Sequence, residues 1–357
     1  MEISEEAVFL QKNKRALSYL AFDSAKTRGR KDKAQDNDSW LYGLLDPFAV
    51  DQQKIERSKA WRRLSGKTQV FSLQLNPYVR TRQSHTQEVV SNAALIAQVL
   101  GLNIDLCVSI AKAHDVGHLP FGHAGERFME EVVGRPFSHA IYGAIVLQEV
   151  ERGGKANFSF EVLEGITYHS GGSWPSALPQ EYRVGYWADK IAYVSHDIND
   201  AVRKEMLRLP SSELANLGST HRERTEKCLV ALLAESAYSK KISFEYSNEA
   251  IAFQKVKDWL FENVYYKIDD GPCFSLLKTV YEFLYEETKK EESIFFNIDP
   301  VILLSLMTDW ECKQLYESLI SRLPNPAGGL GIVEIAPSIR GKKIDWESPD
   351  FSWAKNK

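Results

Sequence analysis

The sequence predicts a mainly α-helical protein, and three observations carry that prediction. Apolar residues recur at three- and four-residue steps over most of the chain from about residue 86 onward. Alternation of the kind a half-buried strand needs is confined to two short stretches, "GKTQVFSL" (66–73) and "GIVEIA" (331–336), the strand candidates. Of 357 residues, 44% are apolar, enough for a large core in one big helical domain or two modest ones.

Lys plus Arg number 44 and Asp plus Glu 48, for a formal charge of -4. That balance excludes the bulk basic excess of a dedicated nucleic-acid binder, so an anionic ligand has to be met by a local cluster of cations or by a metal. Cys107, Cys228, Cys273 and Cys312 form no CxxC pair and sit in apolar helical patterns, as buried reduced thiols do. The start, "MEISEEAVFLQKNKRAL", has neither a signal peptide's apolar run nor a membrane span, which makes the cytoplasm the expected compartment and a membrane an unexpected partner.

In chain order, residues 1–56 are expected to hold an N-terminal helix and a charged loop. The loop, "SAKTRGRKDKAQDNDS" (24–39), reads as a solvated linker by composition, or as a flap that steers anions. The basic run Arg57, Lys59, Arg62, Arg63 and Lys67 reads as a solvated or intersubunit face, with an allosteric nucleotide or single-stranded nucleic acid as the functional alternative. Next, "HTQEVVSNAALIAQVLG" places Val89, Ala93, Ile96 and Leu100 on one helical stripe stopped by Gly101, and four residues back along that stripe lies His85. A helix capped near Asn103 runs Leu106, Ile110 and Ala113 into His114, so a second histidine faces inward.

Further helices are expected over about 122–133, 138–151, 160–169, 180–204, 221–237, 247–265, 272–289 and 309–322. "RLPSSELANLGST" (208–220) breaks the pattern and marks a soft boundary between a core, 57–207, and a helical C-terminal region, 208–357, packed on it. The Gly- and Pro-rich stretch after Leu323 reads as an irregular tail that wraps a surface or a neighbouring subunit.

Chemistry concentrates in "AHDVGHLPFGHAGE" (113–126), which holds three of the eight histidines. His114 and Asp115 can give one divalent ion a nitrogen and an oxygen, Gly117 and Pro120 permit the turn beside them, and His85 offers another nitrogen. A fourth ligand is available in "WADKIAYVSHDINDAVR", where Asp189, Tyr193, His196, Asp197 and Asp200 share one helical face opposite Ile191, Val194, Ile198, Ala201 and Val202. For an ordinary soluble helix that polar face is solvated.

The ordered pattern His85, His114-Asp115, Asp189 resembles the ligand signature of the HD-domain metal phosphohydrolases. "AWRRLSGKTQVF", "RTRQSHTQEV", "AHDVGHLPFGHAGE" and "ADKIAYVSHDINDA" are, in order and spacing, similar to successive motifs of the deoxyguanosine triphosphate triphosphohydrolase family, from Arg57 to Arg203. The resemblance implies an HD-domain helical bundle with extra C-terminal helices. It implies hydrolysis of deoxynucleoside triphosphates, dGTP among them, to deoxynucleoside and tripolyphosphate with a divalent metal (Mn, Mg, Fe, Ni or Zn), and a homo-oligomer.

It also implies roles: His85, His114, Asp115 and Asp189 as metal ligands, His123 with Glu126 as catalytic pair, and His118 at the phosphates. Arg82, His139, Lys190 and Tyr193 would bind substrate, and Asp197 would lie near sugar or phosphate. A triphosphate carries about four negative charges that a buried site has to neutralise. His123 is expected to handle a proton, as base or as acid on the leaving oxygen. The chain departs from the family at Leu119, where Pro is frequent, and at Ala140, where Asn is common; the second bears on base selectivity.

Plainer readings stand beside these. His118 could cap a turn, His139 could be structural, His169 reads as a helix C-terminal cation or a second metal's ligand, and His196 and His221 as surface or helix-face residues. Trp61, Trp174 and Trp187 read as core or interface anchors before base-stacking platforms. Two rival functions remain open: another HD phosphohydrolase, acting on nucleoside monophosphates or cyclic nucleotides, and a dNTP-sensing, nucleic-acid-binding regulator.

Overall fold

The chain folds around one helix, α5 (Ile104–Ala113), whose two sides belong to two different hydrophobic cores. The computed structural model describes residues 5–32, 38–72, 76–171, 174–209, 214 and 216–354. Asn103 caps α5 by accepting the Leu106 N–H at 2.9 Å, as its position in the sequence predicts. One face, Leu106, Ile110 and Ala113, packs into a core shared with α6 (His123–Val133), α7 (His139–Ile145) and α8 (Phe160–Tyr168). The same core takes in α12 (Gly271–Glu287), α13 (Pro300–Leu306), α14 (Asp309–Ile320) and α15 (Ile332–Ile339).

The other face of α5, Cys107 and Ala111, belongs to a second core with α4 (Arg82–Leu100), α9 (Gln180–Arg203), α10 (His221–Ser239) and α11 (Asn248–Asn263). Thr81 opens α4 with a reciprocal capping box to Ser84, and Gly101 closes it at φ +83°, a left-handed conformation that only glycine adopts without strain. Val89, Ala93, Ile96 and Leu100 are all buried on it. At the crossing of α5, α8 and α9, a Cβ on Gly165 would stand 2.4 Å from Ile110 Cδ1, so the missing side chain sets how closely these helices approach. All four cysteines are buried and unpaired.

Helices α1 (Glu5–Lys12), α2 (Pro47–Glu56) and α3 (Lys59–Arg63) come before α4 in the chain, and α2 and α3 add Phe48, Ile55, Ala60 and Trp61 to the first core. The residues expected to be solvated linker are held in part: Arg30 lies 2.5 Å from the buried Asp51, and Thr27 donates to Glu161 at 2.6 Å. A guanidinium that neutralises a buried carboxylate anchors this arm more firmly than its polar composition suggests. Residues 33–37 of that loop lie outside the described residues, as do 210–213 and 215 of the expected break and Leu73 of the first strand candidate.

Both strand expectations are corrected. "GKTQVF" makes one isolated bridge, Thr68 to Thr81, and no ladder. "GIVEIA" lies largely in α15, because Ile332, Ile335, Ala336 and Ile339 fall on a single buried helical face and Glu311 accepts the Ile332 N–H at 2.9 Å. The helical period outlasts the short alternation. The expected helix 138–151 is α7 followed by a π turn, 146–150, while "PVILLSL", too short to show a period, forms α13, apolar but for Ser305. Among the described residues no helix is long and apolar enough to cross a membrane.

Gly117 is one of the two tightest glycine positions among the described residues. A Cβ there would stand 2.1 Å from the His139 carbonyl oxygen and 2.3 Å from the Gly143 nitrogen, both backbone atoms that cannot rotate away. Gly117→Ala therefore has to push α7 off the turn that follows α5, at a cost of about 3 kcal/mol or more, the upper end for overpacking. Thermal denaturation should show a large fall in midpoint or failure to fold; an unchanged midpoint would show that α7 is not seated as described.

Candidate active site

The turn after α5, α4 and α9 converge on a buried cluster of imidazoles and carboxylates. His85 Nε2 is 3.3 Å from His114 Nε2, 3.1 Å from Asp189 Oδ1 and 3.8 Å from Asp115 Oδ2. His114 Nε2 is 3.3 Å from Asp115 Oδ1 and 3.8 Å from Asp189 Oδ1. Donors around one ion at about 2.1 Å stand roughly 3 to 4 Å from one another, so this spacing suits a shared cation.

The hydrogen bonds agree with that use. His114 Nδ1 donates to the Ala111 carbonyl at 2.7 Å, which leaves a lone pair on Nε2 aimed at His85 Nε2. Two nitrogens and two carboxylates make a mixed set suited to first-row divalent metals. His85, His114, Asp115 and Asp189 could hold such an ion together.

Behind His85 stands a relay absent from the sequence expectations. His85 Nδ1 is 2.8 Å from His196 Nε2, His196 Nδ1 is 2.8 Å from Asp197 Oδ1, and Tyr265 donates to Asp197 Oδ2 at 2.6 Å. The Asp197 carboxylate lies beside His196 Nδ1 without hydrogen-bond geometry, and its charge favours the proton on that nitrogen. That leaves His196 Nε2 to accept from His85 Nδ1, and His85 Nε2 faces the centre with a lone pair.

His196, read as a surface or helix-face residue, is fully buried. The polar face of α9 is likewise interior: Asp189, Asp197 and Asp200 are all buried, because α4 and α10 pack over it. Asp197 is engaged by His196 and Tyr265 here.

On the other side of Asp115, Arg82 Nη1 approaches Oδ2 at 3.0 Å and His118 Nε2 approaches Oδ1 at 3.1 Å. Burial opposes the charge on Asp115, but His114, Arg82 and His118 overcome it and hold the carboxyl well below its usual range. His118 also lies 3.1 Å from Glu126 Oε1 and stacks on His139 with ring centres 3.6 Å apart. Burial, with Arg82 and His139 adding to it, brings the His118 imidazole down to about 3, so it is neutral near pH 7.

Glu126 gathers the remaining histidines. His139 Nδ1 is 2.6 Å from its Oε1 and His123 Nδ1 is 2.8 Å from its Oε2. Burial would raise the Glu126 carboxyl, yet His139 and His118 keep it well below normal. The His123 side chain is 63% exposed whereas those of His85 and His118 are at most 3% exposed, so His123 marks the open edge of the cluster. Lys190 approaches Asp189 Oδ2 at 3.2 Å and lies 5.2 Å from the ring centres of Tyr186 and Tyr193. Beside the cluster, His169 ends α8 and donates from Nδ1 to the Ile166 carbonyl at 2.6 Å, and burial drives its imidazole well below the usual range. It terminates a helix as expected but is no cation.

Two further residues hold the HD turn. The buried Lys67 ammonium contacts the His118 carbonyl and donates to the Ser305 carbonyl at 3.1 Å. Asp309, also buried, accepts from Phe121 N–H at 2.7 Å and from Thr68 Oγ1 at 2.6 Å. Lys67 and Arg63 are thus interior, and the basic run is not one solvated face. Trp61 is core, while Trp187 packs edge-on against Phe244 at 5.4 Å and Trp174 lies 5.7 Å from Tyr168.

The family model for the HD domain matches residues 82–194, the segment from the first residue of α4 to the middle of α9. A deoxyguanosinetriphosphate triphosphohydrolase-like protein of Caldanaerobacter subterraneus is 34% identical over 305 residues, covering 83% of this chain and 86% of the relative. A protein of the same description from Clostridium tetani is 33% identical, covering 77% and 82% respectively. Another from Desulfatibacillum aliphaticivorans is 38% identical over 60% of this chain and 63% of its own length.

The lowered His118 value makes stability acid-sensitive. Its folded-state value of about 3 lies below the unfolded 6.5, so the unfolded chain binds the proton first; the contribution is complete above pH 6.5 and is lost as pH falls toward 3. In urea denaturation of metal-chelated protein, moving from pH 7 to pH 5 should remove about 2 kcal/mol on this account. His118→Gln should flatten that limb, and an equal pH slope in both proteins would refute the assignment.

Proposed function

We propose, because this chain belongs to the deoxyguanosinetriphosphate triphosphohydrolase-like family of HD-domain proteins, that it hydrolyses deoxynucleoside triphosphates, dGTP among them, to deoxynucleoside and tripolyphosphate. More coarsely, it is a metal-dependent nucleotide phosphohydrolase. The observation that carries the finer reading is the exposed His123, bonded to the partly buried Glu126 and linked by His118 to Asp115 in the candidate metal cluster.

In this reading His85, His114, Asp115 and Asp189 hold the ion. Bound there, a divalent metal would polarise an α-phosphate oxygen and offset charge as it develops. Arg82 and Lys190 add cationic charge from either side of the centre, each already paired with a carboxylate, Asp115 or Asp189. Tyr193 lies beside Lys190, and His118 and His139, stacked together, border the path from the open edge to Asp115.

Water adds to the α-phosphorus, the bond from phosphorus to the 5′ oxygen breaks, and the proton that water loses is balanced by the one the 5′ oxygen gains. Glu126 holds His123 by Nδ1, which presents Nε2 to the substrate for that transfer. Asp197 acts through His196 to orient His85. The resemblance also supports a homo-oligomer.

The test is product analysis with purified protein, Mn(II) and each of the four dNTPs. Tripolyphosphate and deoxynucleoside are expected, no turnover from the His114→Ala, Asp115→Ala double variant, and a fall in kcat of about 10²- to 10⁴-fold for His123→Ala. Monophosphate with pyrophosphate, turnover confined to nucleoside monophosphates or cyclic nucleotides, or no turnover with any metal would reject the proposal.

A further inference from the structure

We infer that Lys67 is a positioning residue for the metal centre, holding Arg82 and His118, which grip the two oxygens of Asp115, at one fixed spacing. This rests on the metal-dependent reading of the cluster and not on the choice of triphosphate as substrate.

Lys67 is bonded to both of those residues at once. Its carbonyl accepts the Arg82 N–H at 2.9 Å, and its buried Nζ donates to the His118 carbonyl. Arg82 Nη1 in turn reaches Asp115 Oδ2 at 3.0 Å, and His118 Nε2 reaches Oδ1 at 3.1 Å. The backbone of one residue thus sets one side of the carboxylate, and its side chain sets the other.

The stretch expected to be a strand supplies the support for Arg82. Residues 67–69 run antiparallel to 80–82: Thr68 bridges Thr81, the Gln69 N–H donates to the Arg80 carbonyl at 3.4 Å, and the Gln69 carbonyl accepts from Arg82 Nη2 at 3.2 Å. The same guanidinium nitrogen lies against Gly122, where φ is +56° and a Cβ would stand 2.8 Å from it. Arg82 therefore lies in a slot between residues 69 and 122, and Lys67 begins the segment that forms it.

The side-chain end of Lys67 is anchored as well. Besides the His118 carbonyl, Nζ donates to the Ser305 carbonyl of α13 at 3.1 Å. Asp309 of α14 stands near enough to favour its charge, and accepts from the Phe121 N–H at 2.7 Å and from Thr68 Oγ1 at 2.6 Å.

A lysine is costly at this position. It is 2% exposed, and burial, with Arg63 adding to it, brings the ammonium down to about 7. Packing alone would be served as well by an apolar chain of similar length. An apolar chain cannot hold two carbonyls from different elements, the HD turn and α13, at hydrogen-bond distance from one point.

The test is the Mn(II) affinity of chelated protein, read from the free-ion electron paramagnetic resonance signal, for wild type, Lys67→Met, His118→Gln and the double variant. Loss of a group that bonds to a metal ligand costs about 10- to 100-fold in affinity, the range expected for His118→Gln. Lys67→Met, acting one bond further out, should lose about tenfold. Because it acts in part through His118, the double variant should bind more tightly than the product of the two single losses implies. Lys67→Gln, one atom shorter, should lose affinity in the same way and serves if Lys67→Met does not fold. Leu284→Ala, which empties part of the core at α12, should lower the melting temperature and leave the affinity unchanged. Wild-type affinity in a folded Lys67→Met or Lys67→Gln, losses that multiply, or an equal loss in Leu284→Ala would overturn the inference. No Mn(II) binding by the wild type would overturn the metal reading along with it, whereas a failed product assay with these affinities intact would reject the hydrolysis alone.

Discussion

A buried carboxylate that has to stay charged is the constraint on which this structure turns. Asp115 is 3% exposed, and four side chains converge on it: Arg82, His85, His114 and His118. Isolated in an apolar interior it would take up a proton, because desolvation of an unpaired charge costs several kcal/mol. The surrounding cations and imidazoles reverse that outcome. Two elements deliver those partners: α4 brings Arg82 and His85, and the turn after α5 brings His114 and His118.

Positioning depends on a second layer of polar residues inside the cores. His196 and Asp197 use the face of α9 that a soluble helix would turn to water, and Tyr265 closes the chain behind them. Lys67 and Asp309 tie the HD turn to α13 and α14, so the C-terminal helices are part of the site's scaffold. Lys67 and Asp309 are satisfied by specific partners and Asp197 Oδ2 by Tyr265, so the loss of any one of them loosens what it holds.

The convergence of the two candidate histidine ligands was legible in the sequence because both continue apolar helical stripes. His85 lies four residues before Val89 on the buried face of α4, and His114 continues Leu106 and Ile110; in both cases the apolar period identifies the inward direction. His123 and Glu126, three residues apart, were legible as neighbours on one helical face. His196 was not, because a histidine on a polar stripe looks solvated until the helices that cover it are known. Lys67 and Asp309 are separated from the turn they hold by long stretches of chain, and no local pattern announces such contacts. In "GIVEIA" the short alternation Val333, Glu334, Ile335 mimicked a strand, and the deciding signal, Ile339 on the same helical face as Ile332 and Ile335, lay just beyond it.

The central claim is that this cluster of lone pairs and carboxylates is a divalent-cation centre. The most direct measurement is the melting temperature of chelated protein titrated with Mn(II), for wild type and for the His114→Ala, Asp115→Ala double variant. A ligand that binds only the folded chain stabilises it by about 2.7 kcal/mol at a hundredfold excess over Kd. The account predicts a saturable rise in the wild-type midpoint and none in the double variant. An unmoved wild-type midpoint, or the same rise in both proteins, would contradict it.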